Sequence, residues 1–206
     1  MKFADVFEQR VSQSIEASIA VKERLLGSTE TVSTIAKVSE LLVNSLEQGN
    51  KALLLGNGGS AADAQHIAAE FVGRFAFDRP PLAAIALSVN TSSITAIGND
   101  YDFDLIFSRQ IEALGRPGDV VIGISTSGNS NNVLRAVSVA RNLGLHTVGL
   151  TGGTGGKLKH SVDFCICVPS DETPRIQECH ILIGHIISEL VEESLFHEQA
   201  SCVSRS

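Results

Sequence analysis

Five short aliphatic runs, separated by segments of helix length, limit the possible folds of this chain more than any other feature. The runs occupy residues 52–55, 83–87, 120–124, 147–150 and 164–168. They are continuously apolar, which is typical of strands buried on both faces of a sheet. Three intervening segments (61–72, 91–97 with 103–114, and 131–143) are long enough for crossover helices. The sequence therefore predicts an α/β fold with a doubly wound, five-stranded parallel sheet.

Helical segments flank these runs at both ends of the chain. Residues 1–49 carry apolar residues at helical spacing and predict two helices that break near Gly27. A long helix, predicted from Ile176 to about Phe196 after Pro174, is apolar on more than one side. A helix on the surface of a monomer needs only one apolar face, so we expect these segments to pack in a dimer or tetramer.

The length of 206 residues is that of one large domain. We expect a single domain over 1–206, in which residues 1–49 form a helical oligomerisation segment. Residues 50–198 are expected to form the α/β core and the C-terminal helix. The polar tail, 199–206, is expected to be disordered.

Charge and cysteine content exclude several classes of function. Sixteen basic against 23 acidic side chains give a net charge of −7, which offers no general attraction to nucleic acid or to an anionic membrane. The four cysteines do not form the framework of a disulfide-rich secreted domain. The N-terminus lacks the apolar core of a signal peptide, and no stretch approaches the length of a membrane span. We therefore expect a cytoplasmic protein.

Glycine and hydroxyl residues are concentrated in loops that follow the predicted strands. Gly56-Asn-Gly-Gly-Ser60 follows the first strand and Ser125-Thr-Ser-Gly-Asn-Ser130 the third, and each leads into a predicted helix. Glycine lets backbone N–H groups approach an anion, hydroxyls donate to it, and a helix N-terminus attracts it. These loops predict a phosphate site at the carboxyl edge of the sheet. For the third such loop, 151–156, an ordinary turn is as good an interpretation as a ligand site.

One helical pair near the first loop carries side chains that bind metals. His66 and Glu70 are four residues apart, so they lie on one face of the predicted helix and can share an ion. Spacing alone favours an ordinary surface ion pair. The position directly after a predicted phosphate loop favours a functional site.

These segments resemble the sugar isomerase (SIS) family and, within it, the phosphoheptose isomerases. The resemblance covers nearly the whole chain and rests on the two loops, Gln65-His-Ile-Ala-Ala-Glu70, Gly98-Asn-Asp100, and Arg175-Ile-Gln-Glu-Cys-His180 with His185. It implies conversion of sedoheptulose 7-phosphate to D-glycero-D-manno-heptose 7-phosphate through an enediolate. This reaction is the first step toward the ADP- or GDP-heptose of surface polysaccharides. The resemblance also implies a cytoplasmic homotetramer with one zinc ion per subunit.

The resemblance assigns roles to individual residues. Glu70 is the expected base and His185 the expected acid, and His66 and Gln177 complete the expected metal ligands with them. The expected substrate-binding residues are Asn57, Gly58, Gly59, Ser60, Glu70, Asn99, Asp100, Ser125, Thr126, Ser127, Ser130 and Gln177. Gln177 and His185 are separated by about 12 Å along a helix and by about 80° around it. Contact between Gln177 and substrate therefore stays open as an alternative to metal ligation, as does the question whether ligands and acid–base groups are the same side chains.

Two other functions remain as alternatives. A related protein associates with the replication initiator and has no catalytic role, and SIS-type sensors bind a phosphosugar without changing it. The initiator-binding relative lacks the Glu and the final His of the isomerase pattern. This chain has both, at Glu70 and His185, which favours an enzyme.

Overall fold

The structure is a computed structural model that describes the backbone of residues 3–203 and the side chains of residues 5–196. Its centre is a five-stranded sheet whose neighbouring strands all pair in parallel, in the order β2-β1-β3-β4-β5. The strands are β1 (Ala52–Gly56), β2 (Ala84–Ala86), β3 (Val120–Ile124), β4 (His146–Gly152) and β5 (Phe164–Val168). Each predicted strand is present, and every residue of β1 and β3 is buried, as their continuous apolarity indicated.

Seven α-helices surround the sheet in the described part of the chain. They are α1 (Phe3–Leu26), α2 (Thr29–Glu47), α3 (Gly59–Val72), α4 (Thr91–Asp100), α5 (Ser108–Leu114), α6 (Asn131–Asn142) and α7 (Thr173–Val203). The predicted break near Gly27 is confirmed, and the Ser28 hydroxyl caps α2 by accepting a hydrogen bond from Thr31 N. No helix within residues 3–203 has both the length and the hydropathy to cross a membrane.

Two predicted boundaries differ from the structure. The predicted helix 103–114 is divided, because Asp102 accepts a hydrogen bond from Asp104 N and starts a separate 3₁₀ turn, Phe103–Leu105, before α5. The last helix begins at Thr173 rather than Ile176, since proline is tolerated in a first helical turn. The backbone of Phe196 is non-helical (φ −133°, ψ 27°), which agrees with the predicted end of this helix near Phe196; helical backbone resumes beyond this kink to Val203, and residues 204–206 lie outside the described part.

The core has two layers, one on each face of the sheet. On one face, the apolar sides of α1, α2, α3 and α7 pack against β1 and β3 to β5. On the other face, α5 and α6 pack with residues of α4 and of the 3₁₀ turns. Because β1 and β3 are parallel, the loops that follow them open at the same edge of the sheet. Helices α3 and α7 lie together on one face of the sheet.

Candidate active site

The loop between β1 and α3 presents backbone N–H groups and a buried serine at the carboxyl edge of the sheet. Gly58 has a φ of +55° and precedes the first turn of α3, in which Ser60 is only 4% exposed. The Gln177 amide of α7 lies against Gly59 so closely that a side chain at position 59 would overlap it. A side chain at position 59 would therefore displace the Gln177 amide from the start of α3.

The loop between β3 and α6 holds its hydroxyl groups in a compact arrangement. The Ser125 and Ser130 Oγ atoms are 3.0 Å apart, and Ser127 Oγ accepts a hydrogen bond from Asn129 N. Gly128, with a φ of +64°, lies against the carbonyl of Gly155, which leaves no room for a side chain. The third glycine-rich loop therefore supports the serine loop, whatever else it does.

A pair of amides joins the first two loops. Asn57 Nδ2 donates to Asn132 Oδ1, and Asn132 Nδ2 donates back to Asn57 Oδ1, each over 2.9 Å. Sequence reasoning placed Asn57 with the sugar hydroxyls and missed the buried Asn132. The only available signal was its place in α6 directly after the serine loop. The pair fixes the two loops relative to each other and orients Asn57.

His66, Glu70 and His185 meet beside these loops. His66 Nε2 is 3.0 Å from Glu70 Oε1 and 2.9 Å from His185 Nε2. The three side chains offer ligand atoms that all lie within 4.8 Å of one another. His66 is largely exposed, while Glu70 and His185 are half-buried. The structure thus brings together three of the four predicted metal ligands, from two helices that lie far apart in the chain.

The chemistry of this cluster fits a zinc ion. Two imidazole nitrogens and one carboxylate oxygen are the three protein ligands found in many catalytic zinc sites, where the fourth position is left for water or substrate. The two Nε2 atoms are 2.9 Å apart, so one imidazole donates a hydrogen bond to the other.

Helices α3 and α7 run side by side, and the contacts between them explain how the cluster forms. Gln177 lies at Gly59, the start of α3, whereas Gly184 packs directly on Ile67. Because Gly184 and Ile67 are the neighbours of His185 and His66, this close contact brings the two imidazoles together. Gln177 lies about 12 Å before His185 along the axis of α7, beside the first loop.

The last two predicted sugar contacts lie on α4. Asn99 and Asp100 are exposed at the carboxyl end of α4, where Asn99 Nδ2 donates to Asp100 Oδ1 over 2.8 Å. His180, which the sequence analysis did not place in the site, is fully buried, and its Nε2 is 3.1 Å from the carbonyl of Thr151. Burial lowers the pKa of His180 to about 4, although the contact with Thr151 opposes that shift.

Asp63 is a residue near the site that sequence reasoning missed. It lies on α3 between Ser60 and His66, and burial raises its pKa despite the opposing effect of His66. Its Oδ2 atom is buried and makes no hydrogen bond with the described residues. Its spacing of three residues from His66 was a weak signal, since such pairs are common on helix surfaces.

A five-stranded parallel sheet with hydroxyl-rich loops at its carboxyl edge places this chain among α/β proteins, and the family model of the SIS domain matches residues 16–152. The phosphoheptose isomerase of Aneurinibacillus thermoaerophilus is 54% identical over 92% of this chain and 96% of its own. The solved phosphoheptose isomerase of Neisseria gonorrhoeae is 44% identical with a TM-score of 0.85, over 91% of this chain and 99% of its own. The solved phosphoheptose isomerase of Francisella tularensis is 38% identical with a TM-score of 0.86, over 94% of this chain and 100% of its own. The chain belongs to the phosphoheptose isomerase family.

Proposed function

We propose that this chain is an aldose–ketose isomerase that converts sedoheptulose 7-phosphate to D-glycero-D-manno-heptose 7-phosphate. The observation that carries the proposal is the cluster of His66, Glu70 and His185 beside two hydroxyl-rich loops. Acid–base groups next to an anion site are what an isomerase of sugar phosphates needs. The 54% identity to a phosphoheptose isomerase supports this particular substrate.

Neutral donors would bind the phosphate group. Ser60 lies at the N-terminus of α3, and Ser125, Thr126, Ser127 and Ser130 precede α6, so both helix dipoles favour an anion there. The backbone N–H groups of Gly58 and Gly59 face the same edge. Asn57 and Gln177, which flank the first loop, would contact the sugar hydroxyls.

Two of the predicted sugar contacts, Asn99 and Asp100, lie on α4. Asn99 and Asp100 are exposed at the end of α4 and bonded to each other. We assign them to the site of a neighbouring subunit, where an amide and a carboxylate together can hold a vicinal diol. This assignment requires an oligomer.

Glu70 and His185 would move the protons. The Glu70 carboxylate removes a proton from C1 of the ketose, which leaves an enediolate across C1 and C2, and returns the proton to C2. His185 gives a proton to the oxygen on C2 as the enediol forms, and it then takes the proton from the oxygen on C1 as the aldehyde forms, which restores its starting protonation state. His66 contacts both side chains and holds them in this orientation.

A zinc ion would be held by His66, Glu70 and His185, with Gln177 as a further ligand if its side chain turns toward the cluster. When bound, zinc supplies positive charge that polarises the sugar oxygens and stabilises the enediolate. Ligation also competes with proton transfer at Glu70 and His185, because the metal takes the lone pair that would accept the proton.

The proposed assembly is a homotetramer built on the terminal helices. Val11, Ile15 and Ile19 form a stripe on α1, and each is more than half exposed. An apolar groove lies beside it, lined by Leu25, Leu26, Val32, Ile35, Leu182, Ile186 and Leu190. A stripe and a groove of this kind on one molecule are typical of surfaces that pack between subunits. Analytical ultracentrifugation tests this assembly by comparing the masses of the wild type and of Ile15→Glu. We expect a tetramer for the wild type and a smaller species for the variant.

We also propose that the enzyme is cytoplasmic and starts the supply of heptose for surface polysaccharide. The three cysteines whose side chains are described, Cys165, Cys167 and Cys179, are free, which agrees with a reducing compartment.

One coupled assay tests the function and the metal together. The protein is supplied with sedoheptulose 7-phosphate, then treated with a chelator, and zinc is finally restored. We expect turnover that the chelator removes and zinc restores. Binding of the sugar phosphate without turnover would instead support the sensor, and the absence of both would support the initiator-binding alternative.

A further inference from the structure

A buried ion pair lies at the end of the α3–α7 contact, outside the proposed site. Arg79 Nε donates to Glu192 Oε2 over 2.7 Å, and both side chains are only 1% exposed. Glu192 follows His185 on α7 by seven residues, about two turns, so the two side chains point to nearly the same side of the helix. We call this ion pair the Arg79–Glu192 clamp.

Glu192 fixes the segment that follows α3. Its carboxylate accepts hydrogen bonds from three successive backbone N–H groups, those of Phe75, Ala76 and Phe77, at 2.8, 2.6 and 3.3 Å. Burial by itself would raise the pKa of Glu192, but these N–H groups and the Arg79 guanidinium hold it below its usual value. The carboxylate is therefore ionised at neutral pH.

Arg79 holds the carboxyl end of α3. Its Nη2 donates to the Glu70 carbonyl and its Nη1 to the Phe71 carbonyl, each over 2.7 Å, with a longer bond to Gly73. Carbonyls at a helix C-terminus have no partner within the helix and carry partial negative charge. The planar guanidinium with its five donors can satisfy several of them at once, which lysine cannot do.

The clamp contacts the His66–Glu70–His185 cluster in two ways. One is the backbone of Glu70 itself, through the bond from Arg79. The other is Phe75, whose N–H is bonded to Glu192 and whose ring packs on the His185 imidazole with centroids 5.7 Å apart. The same ion pair therefore touches the base on α3 and the ring that lies against the acid on α7.

We propose that the Arg79–Glu192 clamp is a positioning device that sets the separation of Glu70 and His185 for metal binding and proton transfer. The roles of Glu70 and His185 rest on the proposed function, but their placement by the clamp does not. An apolar pair of similar size would fill the same space. It would leave three N–H groups and the helix carbonyls without partners, and the end of α3 would lose its fixed direction.

Glu192→Gln is the test variant, and Asp119→Asn is the matched control. Asp119 is also 1% exposed, bonds a cation through Lys51 Nζ at 2.6 Å, and accepts from the backbone N–H groups of Lys51 and Arg116. It lies directly before β3, at the amino edge of the sheet and therefore opposite the loops. Both variants remove one buried carboxylate charge, so a comparable drop in melting temperature is expected for each.

The variants are compared by calorimetric titration of the apo-protein with Zn²⁺ and by kcat and KM. We expect Glu192→Gln to weaken Zn²⁺ binding and lower kcat, each by about tenfold or more, as loss of a group supporting metal ligands does. KM should stay within about twofold, because the phosphate loops are not touched, and Asp119→Asn should keep wild-type Zn²⁺ affinity and kcat. Arg79→Lys, which keeps the charge, should lie between wild type and Glu192→Gln, and it serves as the test if Glu192→Gln does not fold.

Equal Zn²⁺ affinity and equal kcat in Glu192→Gln and Asp119→Asn would overturn the positioning role and leave only a contribution to stability. Failure of the proposed function looks different. In that case the wild type does not isomerise sedoheptulose 7-phosphate, yet Zn²⁺ affinity still falls in Glu192→Gln and not in Asp119→Asn. If the wild type isomerises sedoheptulose 7-phosphate while Glu192→Gln and Asp119→Asn have the same Zn²⁺ affinity and kcat, the proposed function is supported and the positioning role of the clamp is overturned.

Discussion

The two halves of the site are built in different ways. The proposed phosphate half consists of continuous loops, in which glycine, serine and the following helix are neighbours in the chain, and it contains neutral donors. The cluster half joins α3 to α7 across 119 residues and contains two imidazoles and a carboxylate. The first half needs local backbone geometry, whereas the second depends on how closely two helices pack. Substitutions in the two halves should therefore affect different kinetic parameters.

Removal of a proton-transfer group should give the largest effect. Glu70→Gln and His185→Gln are each expected to lower kcat by at least about 10²–10⁴-fold, the usual contribution of a positioned acid or base. KM and the melting temperature should change little, since both side chains are partly exposed and the loops are intact. Steady-state kinetics with thermal unfolding checks this, and normal activity in both variants would refute the proposed mechanism.

His180 joins the two halves, since it lies on α7 and contacts the Thr151 carbonyl at the end of β4. Its pKa falls from 6.5 to about 4 on folding, so between these values the unfolded chain binds more protons than the folded one. Stability therefore falls as pH falls through this window. From pH 7 to pH 5 we expect His180 to account for a loss of about 2 kcal/mol.

Urea unfolding of the metal-free protein at pH 7, 6 and 5 measures that loss. His180→Gln keeps an N–H donor but does not titrate, so its curve should be flatter than that of the wild type by the stated amount. Glu192 does not interfere, because its lowered pKa means that its contribution is lost only in more acidic solution. Parallel curves for wild type and variant would contradict the prediction.

Substitution in the serine loop should weaken binding rather than turnover. Ser127→Ala is expected to raise KM by roughly tenfold, because one hydrogen bond to a charged group contributes about 1.5–3 kcal/mol. The value of kcat should stay close to that of the wild type. Arg135→Ala, an exposed change on the outer side of α6, is the control. An unchanged KM with a reduced kcat would place Ser127 with the reacting groups instead.

Gly184→Ala should have the smallest effect and tests the helix packing itself. A methyl group there would lie 2.5 Å from Ile67, an overlap that costs about 1–3 kcal/mol. The gain of about 0.5–1 kcal/mol for alanine in a helix offsets part of that cost, which leaves a net loss of roughly 1 kcal/mol. Gly98→Ala in α4 meets nothing closer than 3.9 Å and should be neutral or stabilising. Equal melting temperatures for the two variants would show that α3 and α7 can separate freely.

The phosphate half could be predicted from the sequence because its parts are consecutive. The runs at 52–55 and 120–124 identified buried strands, and the glycines and serines after them identified the loops. His66 and Glu70 were also predictable, since helical spacing alone puts them on one face. For His185 the family pattern supplied the assignment, because a histidine on an apolar helix has no local signal of function.

What the sequence could not provide is the packing of α3 against α7. The contact of Gly184 with Ile67, the position of Gln177 beside Gly59, and the bonds of Arg79 and Glu192 all join residues that are distant in the chain. Local preferences determined the strands, the helices and the two loops, because turn geometry and apolar spacing act over a few residues. Only the tertiary structure decided which side chains meet, since that depends on helix separations set by the whole core.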